Sequence, residues 1–444
     1  MVSRPRRHSV PTMESLKPRV SVIQLVLILS GISAVLVLVY KQQLEGLTKA
    51  APARYNPLTK TFVGVTAPPV NLTRLDTKQT KLILYWTSWF GGKWAGRFTT
   101  DTKEGMREVG CPEWHCEFTY DRSRLEEAHA VLIPSLQFGR HPPTRRPWQR
   151  WVWVDVESPM SGPGKRSLSI VRIHKMNHLV NWTMTYHSNS DIMAFYGYFR
   201  SLDSFEQPLR PNFIENHPTA LSQYLRAMAE GITLEDLMGT SWRSVVEKPQ
   251  LVAWLSSHCG TLSKREDYVQ ELSNYVSVGK YGSCGQRCGR DCWPNIIGRN
   301  YTFYLSLENS WCDDYVTEKL YMPLALYMVP VVWGAANYSR ILPPNSYIDA
   351  REYHPKELAQ LMIRLRADPV ALGRYHLWRG FWEVRVGGNF CELCQRLHTD
   401  GETKHQADVP AWRGRNGRCQ VVPKNMFAPG VTAWRKFIRS DLPE

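Results

Sequence analysis

The chain has little cysteine, less acid than base, and only one long apolar run. Ten Cys in 444 residues exclude a disulfide-dense small scaffold, while the even number leaves a few bridges or a metal site open. Acidic residues are outnumbered: 40 Asp+Glu stand against 55 Lys+Arg, a formal charge of +15. An anionic partner (nucleic acid, acidic lipid or a phosphorylated ligand) therefore has to be considered. Short-period repeats and long low-complexity segments are missing, and 43% hydrophobic with 21% charged residues excludes wholesale disorder and a collagen-like chain. The 13 His read as ordinary surface or core residues. What is plentiful is Trp, 17 in all, which fits flat surfaces for sugars or bases as well as an ordinary core.

The apolar run is residues 20–40, 21 residues without a charge. As a helix it would extend about 31 Å, enough to cross a bilayer core of roughly 30 Å. It is longer than the apolar region of a cleavable signal peptide and is read as a retained anchor. Arg4, Arg6, Arg7, Lys17 and Arg19 precede it with Glu14 as the lone acid, so the positive-inside rule keeps 1–19 cytoplasmic and sends 41–444 across the membrane. Sequons at Asn71, Asn181, Asn300 and Asn337 and all ten Cys fall on the translocated side, where glycans and disulfides are made. That topology removes nucleic acid from the partners of the folded part.

Residues 41–78 are rich in Pro, Thr, Lys and Ala and suit a flexible stem. Beyond them, apolar runs predict strands at 82–86, 130–134, 151–155, 251–255, 301–305 and 329–333, with helices at 122–129, 264–276 and 315–327. Such alternation implies βαβ units, parallel sheets and two α/β domains meeting near residue 245.

Two places could carry chemistry. In the first, Leu305-Ser306-Leu307-Glu308-Asn309-Ser310 leads into Asp313-Asp314-Tyr315-Val316-Thr317-Glu318-Lys319, a strand-to-helix turn of the kind that presents ligands in open α/β sheets. There Lys319 could neutralise a phosphate leaving group and Glu318 a developing positive charge on a sugar ring. The same acids could equally complement the helix dipole, with Lys319 in solvent. The second is Glu157 at the end of Trp153-Val154-Asp155-Val156 and before Pro159, which fits a general base facing a cleft or a plain solvated turn residue.

These residues resemble the signature of the α1,3-fucosyltransferases, glycosyltransferase family 10. The resemblance runs from Glu157-Ser158-Pro159 and Asn181-Trp182-Thr183-Met184-Thr185-Tyr186 through Tyr196-Gly197-Tyr198 and Lys280-Tyr281-Gly282-Ser283-Cys284-Gly285. It continues through the turn at 303–320 and Val329-Pro330-Val331-Val332-Trp333-Gly334 to Cys391-Glu392-Leu393-Cys394. It implies a GT-B fold: two Rossmann-like α/β domains facing a cleft, an acceptor-side domain at 79–245 and a GDP-fucose-binding domain at 246–400, with a C-terminal extension at 401–444. It further implies an inverting transfer of fucose from GDP-fucose to O3 of a GlcNAc residue in a glycan, by a type II Golgi membrane enzyme. Glu157 would be the base and Glu318 a second catalytic residue, while Arg265, Asn309, Tyr315 and Lys319 would contact the donor. No metal or other cofactor would be needed, because cationic side chains hold the diphosphate.

Cys111–Cys116 and Cys391–Cys394 would be local bridges as in the family. A zinc cluster among Cys284, Cys288, Cys292, Cys391 and Cys394 is the competing reading, and the other pairings are left open. Leu307 and Met322-Pro323-Leu324 depart from the family's usual residues; Pro323 is expected near the helix start, where its cost is below the ~3 kcal/mol of an interior position. A catalytically inactive, membrane-tethered carbohydrate-binding protein on the same fold is the alternative function, and a Lewis-type antenna and the N-glycan core are both open as acceptors.

Overall fold

Runs dense in Val, Ile, Leu and aromatic residues form the central strands, as expected where both faces of a parallel sheet are covered. The structure, a computed structural model, describes residues 54–56, 61–63, 79–88, 101–135, 141–160, 177–289, 291–401, 404–427, 434–435 and 437. The tail, the apolar run at 20–40, most of the stem and Asn71 lie outside the described residues. Among the described residues no helix is long and apolar enough to cross a membrane. Inside the stem, β1 (Arg54–Asn56) and β2 (Thr61–Val63) pair antiparallel.

A six-stranded sheet follows: β3 (Lys81–Tyr85), β4 (Cys116–Thr119), β5 (Ala130–Pro134), β6 (Arg150–Asp155), β7 (Trp182–Thr185) and β8 (Ile192–Met193), in spatial order β4-β3-β5-β6-β7-β8. Every neighbouring pair is parallel. Helix α1 (Lys103–Glu108) connects β3 to β4, and its N-cap Thr102 accepts the Gly105 N–H. The stretch expected as a helix at 122–129 is instead a 3-10 turn, Arg122–Glu127. Its single buried residue, Leu125, gives it no apolar stripe to lengthen against the sheet. After β9 (Gly197–Ser201) and helix α2 (Pro218–Ala229) the chain enters a second parallel sheet. It holds β10 (Gln250–Leu255), β11 (Val278–Tyr281), β12 (Tyr301–Leu307), β13 (Val329–Trp333) and β14 (Ile348–Asp349), ordered β11-β10-β12-β13-β14. Helices α3 (Arg265–Leu272), α4 (Glu318–Ala325) and α5 (Pro355–Ala367) serve that sheet. β15 (Trp382–Val386) then returns to pair antiparallel with β9.

Pro323 is the sixth of eight residues in α4, an interior position rather than the helix start. It cannot donate to the carbonyl of Lys319, four residues earlier. That carbonyl is taken up from outside the helix: the Ser306 hydroxyl on β12 donates to it at 2.8 Å. A strand residue thus replaces the missing bond, and the helix continues to Ala325.

The last segment crosses back to the first sheet. Helix α6 (Cys391–Thr399) packs with Ile83, Tyr85 and Cys116 in one core cluster, and Glu392 accepts the Met193 N–H at 2.8 Å and pairs with Arg210 at 2.8 Å. Here the expected cysteine pairing is corrected: the bridges are Cys111–Cys391 and Cys116–Cys394. Cys391 and Cys394 are three apart on one helix face, so both point at the same neighbour rather than at each other. That neighbour is the turn after α1 and the start of β4, with Cα separations of 5.1 and 5.9 Å. The remaining bridges are Cys259–Cys284, Cys288–Cys292 and Cys312–Cys419, and they consume the sulfurs of the zinc reading. Helix α7 (Val409–Gly417) closes the chain against the first sheet through buried Val409.

Candidate active site

Two strand ends and one turn make the site. β6 stops at Asp155, and the chain bends through Glu157 to Pro159, which has no N–H to continue a ladder. β12 stops at Leu307 and runs through Glu308 to Thr317, the N-cap of α4. The Glu308 carboxylate, 2% exposed, accepts the Thr317 N–H at 2.8 Å and its hydroxyl at 2.9 Å. Burial pushes the Glu308 pKa up, opposed by the charge of Lys319. Lys319 Nζ lies 3.5 Å from Glu308 and 3.0 Å from Glu318, and donates to Thr317 Oγ1 at 2.9 Å. Burial favours the neutral amine, but the two carboxylates outweigh it and the pKa is raised. Lys319 is a fixed positive charge at the start of α4.

The strand end of the first sheet touches the turn of the second. Tyr315 OH donates to one oxygen of Glu157 at 3.0 Å, and Tyr196 OH donates to the other at 3.3 Å. Burial, then Tyr196 and the nearby carboxylates, hold the Tyr315 phenol well above its usual pKa, so it stays a donor. Ser158 Oγ donates to Ser310 Oγ at 2.7 Å, and Ser310 donates to Asn309 Oδ1 at 3.1 Å. Ser188 donates twice to Asp314, from N–H at 3.0 Å and from hydroxyl at 2.5 Å. Of the residues expected in the site, Glu157, Asn309, Tyr315, Glu318 and Lys319 are brought to this one junction.

Arg265 stands apart from them, 1% exposed. Its guanidinium donates to Leu307 O at 2.8 Å, Ser256 Oγ at 2.7 Å and His258 O at 2.8 Å. It fastens the ends of β10 and β12 at the point where strand order reverses, the crevice in which open α/β sheets take ligands. The arrangement offers a carboxylate held by two phenols and, across the junction, fixed cationic charge beside a strand-to-helix turn. A proton acceptor facing an anion site suits group transfer from a phosphorylated donor.

Comparison with known proteins agrees with the geometry. The family model described as "Fucosyltransferase, N-terminal" matches residues 78–197, and "Glycosyltransferase family 10 (fucosyltransferase) C-term" matches 245–412. The α-(1,3)-fucosyltransferase C of Drosophila melanogaster is 33% identical, over 77% of this chain and 80% of that protein. The chain is a family 10 fucosyltransferase. A 4-galactosyl-N-acetylglucosaminide 3-α-L-fucosyltransferase of Homo sapiens is 31% identical over 67% of this chain and 75% of its own. A 3-galactosyl-N-acetylglucosaminide 4-α-L-fucosyltransferase of Pan troglodytes is 29% identical over 78% and 85%. A crystal structure of an α1,3-fucosyltransferase with GDP-fucose aligns over 78% of this chain and 96% of its own, at 13% identity and a TM-score of 0.42.

Four groups that hold the candidate site were passed over in the sequence. Tyr196 and Glu308 stand inside quoted motifs, and an acid just past a strand and before an N-cap Thr was a usable signal for Glu308. Asp155 is two residues from Glu157, buried, and accepts from Ser135 Oγ at 2.9 Å. Arg413, which donates to Asp155 at 2.6 Å, lies 258 residues away and had no local signal.

The sequons divide by burial. Asn181 has no exposed surface; its Oδ1 accepts the Trp151 N–H at 2.8 Å, and its amide donates to Lys404 O at 2.9 Å. The folded chain has no room for a glycan there, which corrects the expectation for that site. Asn300 donates to Ile296 O at 2.7 Å beside Thr302, which is 2% exposed. Asn337 is exposed and followed by an exposed Ser339. Cys116, Cys394 and His398 place ligand-type atoms within 4.8 Å of one another, but both sulfurs are bridged and do not suit a metal.

Proposed function

We propose that this fucosyltransferase moves L-fucose from GDP-β-L-fucose to O3 of a GlcNAc residue in a glycoprotein or glycolipid glycan, with inversion, on a GT-B arrangement of an acceptor-side half at 79–245 and a donor half at 246–400. The observation that carries the reading is the contact of Glu157, just past β6 of the first sheet, with Tyr315, on the turn that leads into α4 and Lys319. In one displacement the Glu157 carboxylate takes the O3 proton, O3 bonds to C1 of fucose, and the bond from C1 to the β-phosphate oxygen breaks with its electrons leaving on GDP. Tyr315 and Tyr196 orient the carboxylate. Lys319 neutralises the departing diphosphate, Arg265 adds charge from beneath the β10 and β12 ends, and Glu318 faces the positive charge that develops on the sugar ring. Asn309 is proposed to bond the nucleotide part, and with these cations in place no divalent metal enters the step.

The family's Golgi layout extends the reading to a single-pass type II protein with a lumenal catalytic part. Support comes from the apolar run at 20–40, the basic flank before it, and a described part in which all ten Cys are bridged.

The test uses the fragment from residue 60 with GDP-fucose and a broad glycan array. Fucose on O3 of GlcNAc is expected. Fucose on another hydroxyl overturns the linkage, and no transfer with GDP-fucose binding intact favours the inactive carbohydrate-binding protein. Glu157→Gln should lower turnover at least about 100-fold and leave GDP affinity nearly unchanged; wild-type turnover in that variant removes Glu157 from the base role.

A further inference from the structure

Helix α7 belongs to the C-terminal extension, and the match to the family model stops at residue 412, inside it. It is fastened on both sides of the junction. Val409 N–H donates to Asn177 Oδ1 at 3.0 Å and Asn189 donates to Asn416 Oδ1 at 3.0 Å, both in the first half of the chain. Toward the donor turn, Asp313 N–H donates to Gly417 O at 3.0 Å, and Cys419 is bridged to Cys312. Between these anchors Arg413 reaches the end of β6. Its Nε donates to Asp155 Oδ2 at 2.6 Å, and its Nη2 donates to the Ser158 carbonyl at 3.1 Å. One guanidinium therefore holds the residues on either side of Glu157. The Glu157 N–H itself donates to the other oxygen of Asp155 at 3.3 Å. Beside the carboxylate is a narrow slot, with about 10 Å³ of room for a water-sized sphere, whose walls include Trp153, Tyr186, Trp412 and Arg413.

We propose that Arg413 is a positioning residue for the transfer: the C-terminal extension, through this guanidinium, fixes the direction in which the Glu157 carboxylate faces the acceptor. The proposal rests on the reading of Glu157 as the base. Asp155 is 2% exposed. With its cation removed, that carboxylate keeps its charge by turning toward water. The turn weakens its hold on the Glu157 N–H and frees the bend at 156–158. Lysine cannot replace the two-pronged grip, because its ammonium lacks the planar fork. Glu157 is faced by Tyr196 from beside β9, Tyr315 from the donor turn, Asp155 from its own strand, Arg413 from α7, and His187 across the slot. Exchanging one member of the Asp155–Arg413 pair changes the net charge beside the base, with opposite sign for each member.

The experiment compares Arg413→Met, Arg413→Lys and Asp155→Asn with Glu157→Gln in the full chain, reading kcat against pH and GDP affinity. Arg413→Met should lower kcat by about 10-fold or more and leave GDP affinity within about two-fold. Its acid limb should move to higher pH, because an uncompensated negative charge disfavours the ionised base. Asp155→Asn should move that limb to lower pH, and Arg413→Lys should keep the limb in place at an intermediate kcat. Wild-type kcat in Arg413→Met, or a lower kcat with neither limb displaced, overturns the positioning role while Glu157→Gln remains inactive. Full turnover in Glu157→Gln overturns the base reading first, and the proposal with it. If Arg413→Met fails to fold, the lysine variant decides: a several-fold lower kcat at unchanged GDP affinity supports the role, and wild-type kcat refutes it.

Discussion

At the scale of single residues, the candidate site is built from charges and hydroxyls held by specific partners. Lys319 keeps its proton because two carboxylates outweigh its burial. Lys319→Met should weaken GDP binding by about 10-fold or more, an effect read by calorimetry; unchanged affinity would leave the ammonium with only its structural partners. Tyr315 is expected from the sequence as a donor contact, and its hydroxyl donates to Glu157. Tyr315→Phe should lower kcat several-fold and move the acid limb upward, since a hydrogen bond to the charged form of the base is lost. A profile identical to wild type would make the phenol a packing group. Glu157 itself was legible because a carboxylate at a strand end before Pro is a pattern in adjacent letters. Arg413 was not, because what defines its role is a contact across 258 residues.

Among the elements, α4 depends on a hydroxyl that is not its own. Ser306→Ala should destabilise the wild-type chain by about 1 kcal/mol, the cost of a part-buried carbonyl that loses its donor. In a Pro323→Ala background the helix supplies its own bond to Lys319 O, so the same change should cost less. Equal losses in the two backgrounds, measured by urea denaturation, would show that the hydroxyl and the proline are independent. The central strands were readable almost to the residue: β5 and β13 are unbroken apolar runs because neighbours cover both of their faces. β4 and β11 escaped notice. They are short edge strands with polar or Gly residues and half-buried positions, so no run or clear alternation marks them. The helix expected at 315–327 begins only at Glu318, because Glu308 and Thr317 close its N-terminus and Asp314 stands in the left-handed region. Those are tertiary facts, and the local letters do not carry them.

For the whole molecule, buried bases set the pH response. Burial and the charge of Arg379 pull the Lys248 pKa down to about 7, with its Nζ donating to Gly298 O and Leu326 O. In the unfolded chain that amine titrates near about 10.4, so between those values the unfolded state holds the extra proton. Stability should therefore rise with pH from about 7 to about 10, and Lys248 should add no slope below that window. Burial also lowers the pKa of His187, His217 and His376, which removes stability as pH falls below the ordinary histidine value. Urea midpoints taken from pH 5 to 10 should climb throughout, and Lys248→Met should flatten the upper part. An unaltered upper slope in that variant would assign the rise to other groups. The charge of +15 has some of its share in such places: Lys248, Arg265 and Arg379 are buried against backbone carbonyls.

The two bridges from α6 to the first sheet join residues 280 and 278 positions apart. During synthesis Cys111 and Cys116 emerge long before their partners exist, by an interval on the order of tens of seconds at ordinary elongation rates. The half of the enzyme that is made first is therefore the half that is sealed last. A nascent chain halted before residue 391 should present both thiols to an alkylating reagent, while the released protein should present neither.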